Sequence, residues 1–170
     1  SNVNTSSATN MTNMFYNCSK LTSITFGAGF KTSNVKSMDS MFSNCSKLTS
    51  IDLSNFDTGN VTNMSDMFSN CSSLTSITFG DNFNTSQVTD MYNMFSNCSS
   101  LTSLDVSNFD TSKVTNMYSM FSNCSSLTSL DVSNFDTSSC VHMGYYNNSS
   151  SGMFSNCSSL TSITFGDNFN

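Results

Sequence analysis

The chain has 170 residues and a formal net charge of −6, from eleven Asp against five Lys, and contains no Pro, Trp, Arg or Glu. The five Lys form no cluster that would neutralise several phosphates, so nucleic acid is not an expected partner. No apolar run approaches the roughly 18–20 residues that span a bilayer, and the opening SNVNTSSATN lacks both a basic and an apolar leader region. No membrane span is expected in this segment, and any export signal is expected outside it.

Ser, Thr and Asn dominate the composition, which in isolation would read as a disordered polar tract. Fifteen Phe and twelve Met recur at nearly fixed intervals, however, and that regularity requires a packed interior. The recurring core NCS-(S/K)-LTS begins at Asn17, Asn44, Asn70, Asn97, Asn123 and Asn156, which spaces Cys18, Cys45, Cys71, Cys98, Cys124 and Cys157 by 27, 26, 27, 26 and 33 residues. Two rung types account for the first four spacings. A longer one reads LTSITFGDNFNTS (from Leu74 and Leu160, with GAGFKTS in the copy from Leu21), and a shorter one reads LTSLDVSNFDTS (from Leu101 and Leu127, with a close variant from Leu48).

Along a rung, LTSLDV at 101–106 places apolar Leu101, Leu104 and Val106, and the alternation predicts a short strand with one buried face. A turn carrying Phe109 follows. Val114, Met117, Met120, Phe121 and Cys124 are then spaced 3, 3, 1 and 3, which predicts a short amphipathic helix with Asp110, Thr111 or Ser112 capping its first turn. Such a helix is weak alone, because Val, Thr, Asn and Ser are mediocre helix formers. Each rung also lacks a second layer to cover its apolar residues, so only neighbouring rungs can complete a core. The expected architecture is an α/β repeat solenoid of about six 26–27-residue rungs, with strands stacked in parallel about 4.8 Å apart.

The stretch LTSLDVSNF resembles the LxxLxLxxN core of leucine-rich repeats, and MFSNCSSLTSL is similar to the AFxxCxxLxxI signature of BspA-like repeats, especially the Asn/Ser/Met-rich form in surface lipoproteins of mycoplasmas and many gut and oral bacteria. The resemblance covers the whole chain except residues 140–152. It implies a parallel sheet on a concave face, short helices on a convex face, and a protein at the bacterial surface. It further implies adhesion to a host or neighbouring-cell protein or glycan, with no catalytic residue and no cofactor.

Equivalent cysteines in stacked rungs point the same way, whereas a disulfide needs converging Cβ atoms. The six NCS cysteines are therefore expected to form a ladder of buried thiols. Cys140 and His142 are the one pair resembling a metal or nucleophilic site. Zinc would want two further ligands, and a Cys/His nucleophile an orienting group and an oxyanion site; the sequence supplies neither. Asp105 and Asp131 are expected on adjacent strands, where they repel by on the order of 1 kcal/mol in water. A shared calcium ion is a lesser reading of that pair, and the expected metal content is none.

Thr22, Thr49, Thr75, Thr102, Thr128 and Thr161 form one column on the expected concave face. Thr25, Asp52, Thr78, Asp105, Asp131 and Thr164 form another. Their hydroxyls and carboxylates make a broad hydrogen-bonding surface for a macromolecule, and the regular Thr array admits a minor ice-binding reading. After Met143 the rung is interrupted by GYYNNSSSG, residues 144–152, in place of YS. Loops on a rigid scaffold often carry binding, and tyrosines supply contact area at low entropic cost, so Tyr145, Tyr146 and His142 are candidate contact residues. The start is in phase with the rungs, and the end stops where another TS would follow. Residues 1–170 are therefore expected to be a single solenoid segment of a longer array, or else a unit that stacks head to tail into a filament.

Overall fold

The computed structural model describes residues 3–144 and 152–170. The rungs are stacked in parallel. Single-residue parallel bridges join Asn10, Ser37, Asn63, Asp90, Asn116 and His142 in one unbroken column. Four strands are long enough to name: β1 (Ser50–Leu53), β2 (Ser76–Phe79), β3 (Ser129–Val132) and β4 (Ser162–Phe165). β1 pairs in parallel with β2, matching Ile51 to Ile77 and Leu53 to Phe79, and β3 pairs with β4 in the same way. In β1 and β3 the residues alternate exposed and buried, as the period of two requires.

The expected α/β solenoid with convex helices is not what the chain forms. Among the described residues there is no helix, and the strands make two separate two-stranded sheets rather than one continuous sheet. The cause lies in where the backbone N–H groups go. In the segment from Met91 to Cys98, the N–H groups of Met91, Asn93, Phe95 and Asn97 donate to Asn116, Tyr118, Met120 and Ser122 of the next rung at 2.8–3.0 Å. Those of Met94, Ser96 and Cys98 donate three residues back, as turns, and Tyr92 N–H donates to Asp90 Oδ1. An α-helix would use these donors internally and leave nothing for the neighbours. Asn93 and Asn97 also adopt φ of 52° and 61°, left-handed backbone that ends a right-handed helix and that Asn tolerates best after Gly. The same conformation recurs at Asn13, Ser40, Asp66 and Ser119, and at every NCS asparagine from Asn17 to Asn156. The 3, 3, 1, 3 spacing thus marks the inward positions of a series of tight turns.

Capping is replaced accordingly. Asp110 Oδ1 accepts Ser112 N–H at 3.0 Å in a local turn. Thr111 is fully buried, donating to Asp136 O at 2.9 Å and accepting Asp136 N–H at 2.8 Å. It belongs to a ladder with Thr32, Thr58, Thr85 and Thr137, all buried. Thr58, for example, donates to Asn84 O at 2.8 Å and accepts Asn84 N–H at 2.7 Å. One hydroxyl thereby satisfies both backbone groups of the rung above.

The interior is built from ladders of identical side chains. Phe15, Phe42, Phe68, Phe95, Phe121 and Phe154 stack at centroid separations of 5.4–5.7 Å with interplanar angles of 0–7°. Each such pair contributes about 0.5–1.5 kcal/mol beyond area burial. Met38, Met41, Met64, Met67, Met91, Met94, Met117 and Met120 are fully buried beside them. The longer rungs place Phe79 opposite Leu53 and Phe165 opposite Val132, and follow each with a glycine. A Cβ on Gly80 would lie 2.7 Å from Ser54 Cα, so the extra residue of the long rung passes too close to its neighbour for a side chain.

The Thr ladder yields a direct test. Thr58→Val removes the hydroxyl and orphans both Asn84 backbone groups, so chemical denaturation should show a loss of about 1–3 kcal/mol. Thr58→Ser keeps the hydroxyl and should lose clearly less. Equal losses in the two variants would show that the hydroxyl bonds do not matter.

Candidate binding surface

The strand side carries the Thr and Asp columns. Thr49, Thr75, Thr102 and Thr128 are all exposed. Thr75 donates both its N–H and its Oγ1 to Thr49 O, each at 2.9 Å; Thr49 does the same to Thr22 O at 3.3 Å, and Thr128 to Thr102 O at 3.3 Å. The hydroxyl protons therefore point along the stack, and the hydroxyl oxygens remain acceptors toward solvent. Register pairs Asp52 with Thr78 and Asp131 with Thr164.

Asp131 lies in β3 and Asp105 in the adjoining rung, but Asp105 is outside any strand, so the expected pair of adjacent strands does not exist at that step. Both carboxylates serve their own rungs. Asp105 Oδ1 accepts Ser107 N–H at 3.0 Å, and Asp131 Oδ1 accepts Ser133 N–H at 2.9 Å. Hydrogen bonds from the Ser107 and Ser133 side chains, and then from their backbones, hold these carboxyls below the usual Asp value; Ser54 does the same for Asp52. Among the described residues no group of three or more His, Cys or acidic side chains could hold a metal ion.

From the second rung on, the NCS cysteines line up as a column of thiols, each aimed at a backbone carbonyl rather than at another sulfur. Cys45, Cys71, Cys98, Cys124 and Cys157 donate to Phe15, Phe42, Phe68, Phe95 and Phe121 O at 3.1–3.2 Å. Cys18 in the first rung is exposed and Cys157 in the last is half-buried, so the expected ladder of six buried thiols holds for Cys45, Cys71, Cys98 and Cys124, which have a rung on either side. Burial pushes the Cys45 thiol up to about 11 and those of Cys71 and Cys124 up to about 12, and raises Cys98 well above its ordinary value. Cys140 is half-buried, and its thiol points at His142 O, 3.6 Å away, rather than forming a pair with the imidazole. Burial raises its pKa as well, which disfavours the thiolate a nucleophile needs.

Two further features were not singled out from sequence. The NCS asparagines from Asn17 to Asn156, with the serine two residues after each, line an open groove of about 730 Å³ along all six rungs. The serine hydroxyls bond up the stack, as Ser99 does to Ser72 O at 3.3 Å. The sequence signal was present in the repeated Asn-x-Ser itself. Second, Asp39, Asp66 and Asp90 gather on successive turns; burial raises the Asp66 pKa, aided by the charges of Asp39 and Asp90, against hydrogen bonds from Asn93 and Ser69.

At the interruption, Gly144 and Gly152 pair in an antiparallel bridge that closes the base of the inserted loop. Met153 O accepts Phe121 N–H at 2.9 Å, as Met120 O accepts that of Phe95, so the rung resumes in register. Tyr145 and Tyr146 lie outside the described residues. His142 is exposed at the end of the bridged column.

The thiol column predicts both reactivity and pH dependence. Dithionitrobenzoate should label Cys18 in the folded protein and reach Cys71, Cys98 and Cys124 only on unfolding. Because their folded pKa values lie above the reference of 9.0, the stability these thiols contribute is present below about pH 9 and lost as pH rises toward 12. The melting temperature should therefore fall between about pH 9 and pH 11, and fall less steeply in Cys98→Ala. Identical slopes in the two proteins would assign the loss to other groups.

No curated protein and no solved structure matches the chain. A family model described as "Mycoplasma protein of unknown function, DUF285" matches residues 1–80 and again residues 76–167. The two matches overlap within β2 and together span all six rungs, so both halves carry the same repeat, and the chain belongs to the DUF285 family.

Proposed function

We propose that this chain is a non-enzymatic adhesion module of a bacterial cell surface, of the BspA-like kind, which binds a protein or glycan of a host or neighbouring cell through its strand face. The observation that carries this reading is the ordered polar surface on that side. Exposed Thr49, Thr75 and Thr128 hold their hydroxyls along the stack, beside a row in which Asp52, Thr78, Asp105 and Asp131 stand exposed on successive rungs. Fixed acceptors on a rigid scaffold bind without the ordering cost of flexible side chains. The MFSNCSSLTSL resemblance to BspA-like repeats supports the same class.

A second reading is head-to-tail assembly into a filament, in which the rung repeat of one copy continues into the next. Phe15, Leu21, Ile24 and Phe26 are only half-buried in the first rung, and Met14 is 42% exposed. Phe154, Leu160 and Ile163 are half-buried in the last rung, and Phe165 is 49% exposed. The equivalent Met41, Phe42 and Leu48, with a rung on either side, are fully buried. The two readings are compatible.

Adhesion is tested by binding of the purified chain to cultured epithelial cells, compared with a Thr25→Lys, Thr78→Lys, Thr164→Lys variant. Those threonines are exposed and are not part of the hydroxyl ladder, so the variant should melt like the parent while binding falls about tenfold or more. Undiminished binding would remove the strand face from the reading. Assembly is tested by sedimentation velocity over a concentration series: growth that Phe165→Asp abolishes supports the filament, and a concentration-independent monomer rejects it.

A further inference from the structure

The strand side opens at one joint in the middle of the stack. β2 pairs with β1, but among the described residues no backbone hydrogen bond joins residues 74–79 to residues 101–106 of the next rung. The turn side stays closed at the same joint, where Phe68 and Asn70 N–H donate to Met94 and Ser96 O at 2.9 and 2.8 Å. The paired steps, β1 to β2 and β3 to β4, go from a short rung to a long one, and this step goes from long to short. Burial records the opening. Ile77, Phe79 and Leu104 are only half-buried, although a rung lies on either side of each, whereas Ile51, Leu53, Leu130 and Val132 at the same rung positions are buried.

A cavity of about 190 Å³ lies there, lined by Ile77, Thr78, Phe79, Asp105, Asn108 and Phe109. Its apolar part includes the buried Phe109, whose ring meets that of Phe79 edge-on with centroids 5.2 Å apart. Its polar part is the exposed Thr78, Asp105 and Asn108. Asp105 Oδ1 accepts Ser107 N–H at 3.0 Å, which leaves further acceptor sites on the carboxylate. The Thr78 and Asn108 side chains have no hydrogen-bond partner among the described residues.

The charge around the cavity has one sign. No Lys lines it, and Asn108 also borders an open recess that carries Asp81 and Asp110. Along the chain, four of the five Lys lie at or before Lys47 and ten of the eleven Asp lie after it. Such a surface draws cations and repels anions.

We propose that this cavity takes the side chain of a lysine on a partner protein, with its methylenes against Ile77, Phe79 and Phe109 and its ammonium on Asp105, Thr78 and Asn108. The proposal rests on the strand-face reading and names the partner of that face as a protein with a protruding lysine. The cavity is smaller than the roughly 300–1,000 Å³ of pockets that enclose a whole ligand, which suits one side chain. A purely apolar side chain would desolvate the Asp105 carboxylate without pairing it, and a sugar hydroxyl would leave its charge unanswered. Lysine joins an apolar stem to a charged tip. Its three donors match three separate acceptors, whereas the flat guanidinium fork of arginine is built for both oxygens of one carboxylate, and here one of them already holds Ser107.

The experiment is an amide chemical-shift titration by NMR of the whole chain with Nα-acetyl-lysine methylamide. Its Nε-acetylated form, the norleucine and arginine analogues, and methylammonium chloride are titrated in parallel. The lysine compound should bind in the millimolar range, with shifts centred on residues 77–79 and 105–109, and every other probe should bind more weakly. Asp105→Asn keeps an acceptor for Ser107 N–H, so it should melt like the parent and weaken lysine binding about fivefold, the upper size of an exposed ion pair. Asp136→Asn removes a charge from the same kind of turn, where Oδ1 accepts Ser138 N–H at 2.9 Å, and should leave lysine binding unchanged. Thr78→Lys sets an ammonium at the cavity and should abolish it. Absence of saturable shifts at tens of millimolar, equal binding of the Nε-acetylated form, tighter binding of the arginine analogue, or equal weakening by Asp105→Asn and Asp136→Asn would each overturn the proposal. The titration needs no cells, so the two readings fail separately: lysine binding without cell binding removes adhesion alone, and cell binding without lysine binding removes this pocket alone.

Discussion

Hydrogen bonding between rungs is the constraint on which everything else depends. A chain this rich in Ser, Thr and Asn carries polar backbone and polar side chains into a narrow stack, and each buried group needs a partner. Alternate N–H groups on the turn side reach the next rung, and the N–H groups of Thr62, Thr89 and Thr115 reach back to the preceding one at 2.9 Å. Buried threonines close the remaining gaps, and no buried side-chain nitrogen or oxygen among the described residues lacks a partner. Because these bonds run along the stack, every rung must repeat the geometry of the one before it. Identical side chains then fall into columns.

The columns explain the composition. Phe stacks on Phe at a nearly constant separation, and Met, unbranched and adaptable, fills the space between turns. Cys suits a position that needs a small apolar group with one weak donor, since its sulfur packs inside while its proton meets a phenylalanine carbonyl of the rung before. Asn suits the left-handed positions, where other side chains cost roughly 1–2 kcal/mol. A sequence that looks too polar to fold is thus a set of specialised columns.

Departures from the repeat concentrate in one place. Tyr92 and Tyr118 enter a column that holds Asp39 and Ser65 lower down, His142 follows Asn116, and Gly144 leaves a side chain out just before the chain makes its detour. The detour closes on the Gly144–Gly152 bridge and the register is restored at Met153, so the variation is confined and the rungs beyond are undisturbed.

The sequence by itself determined the number of rungs, the two rung lengths, the parallel stacking and the identity of the inward columns. Each follows from fixed spacing of Leu, Phe, Met and Cys, and spacing is what a one-dimensional reading measures. It also located the break at residues 140–152. Only the tertiary structure decided the conformation between Val114 and Cys124. A helical stripe and a run of tight turns place apolar residues inward at almost the same intervals, and the choice rests on whether N–H groups bond within the rung or to the next one. That partner is some 26 residues away. For the same reason the buried role of Thr111, the break between Asp105 and β3, and the cavity between Ile77 and Asp105 depended on contacts between rungs, which local pattern does not carry.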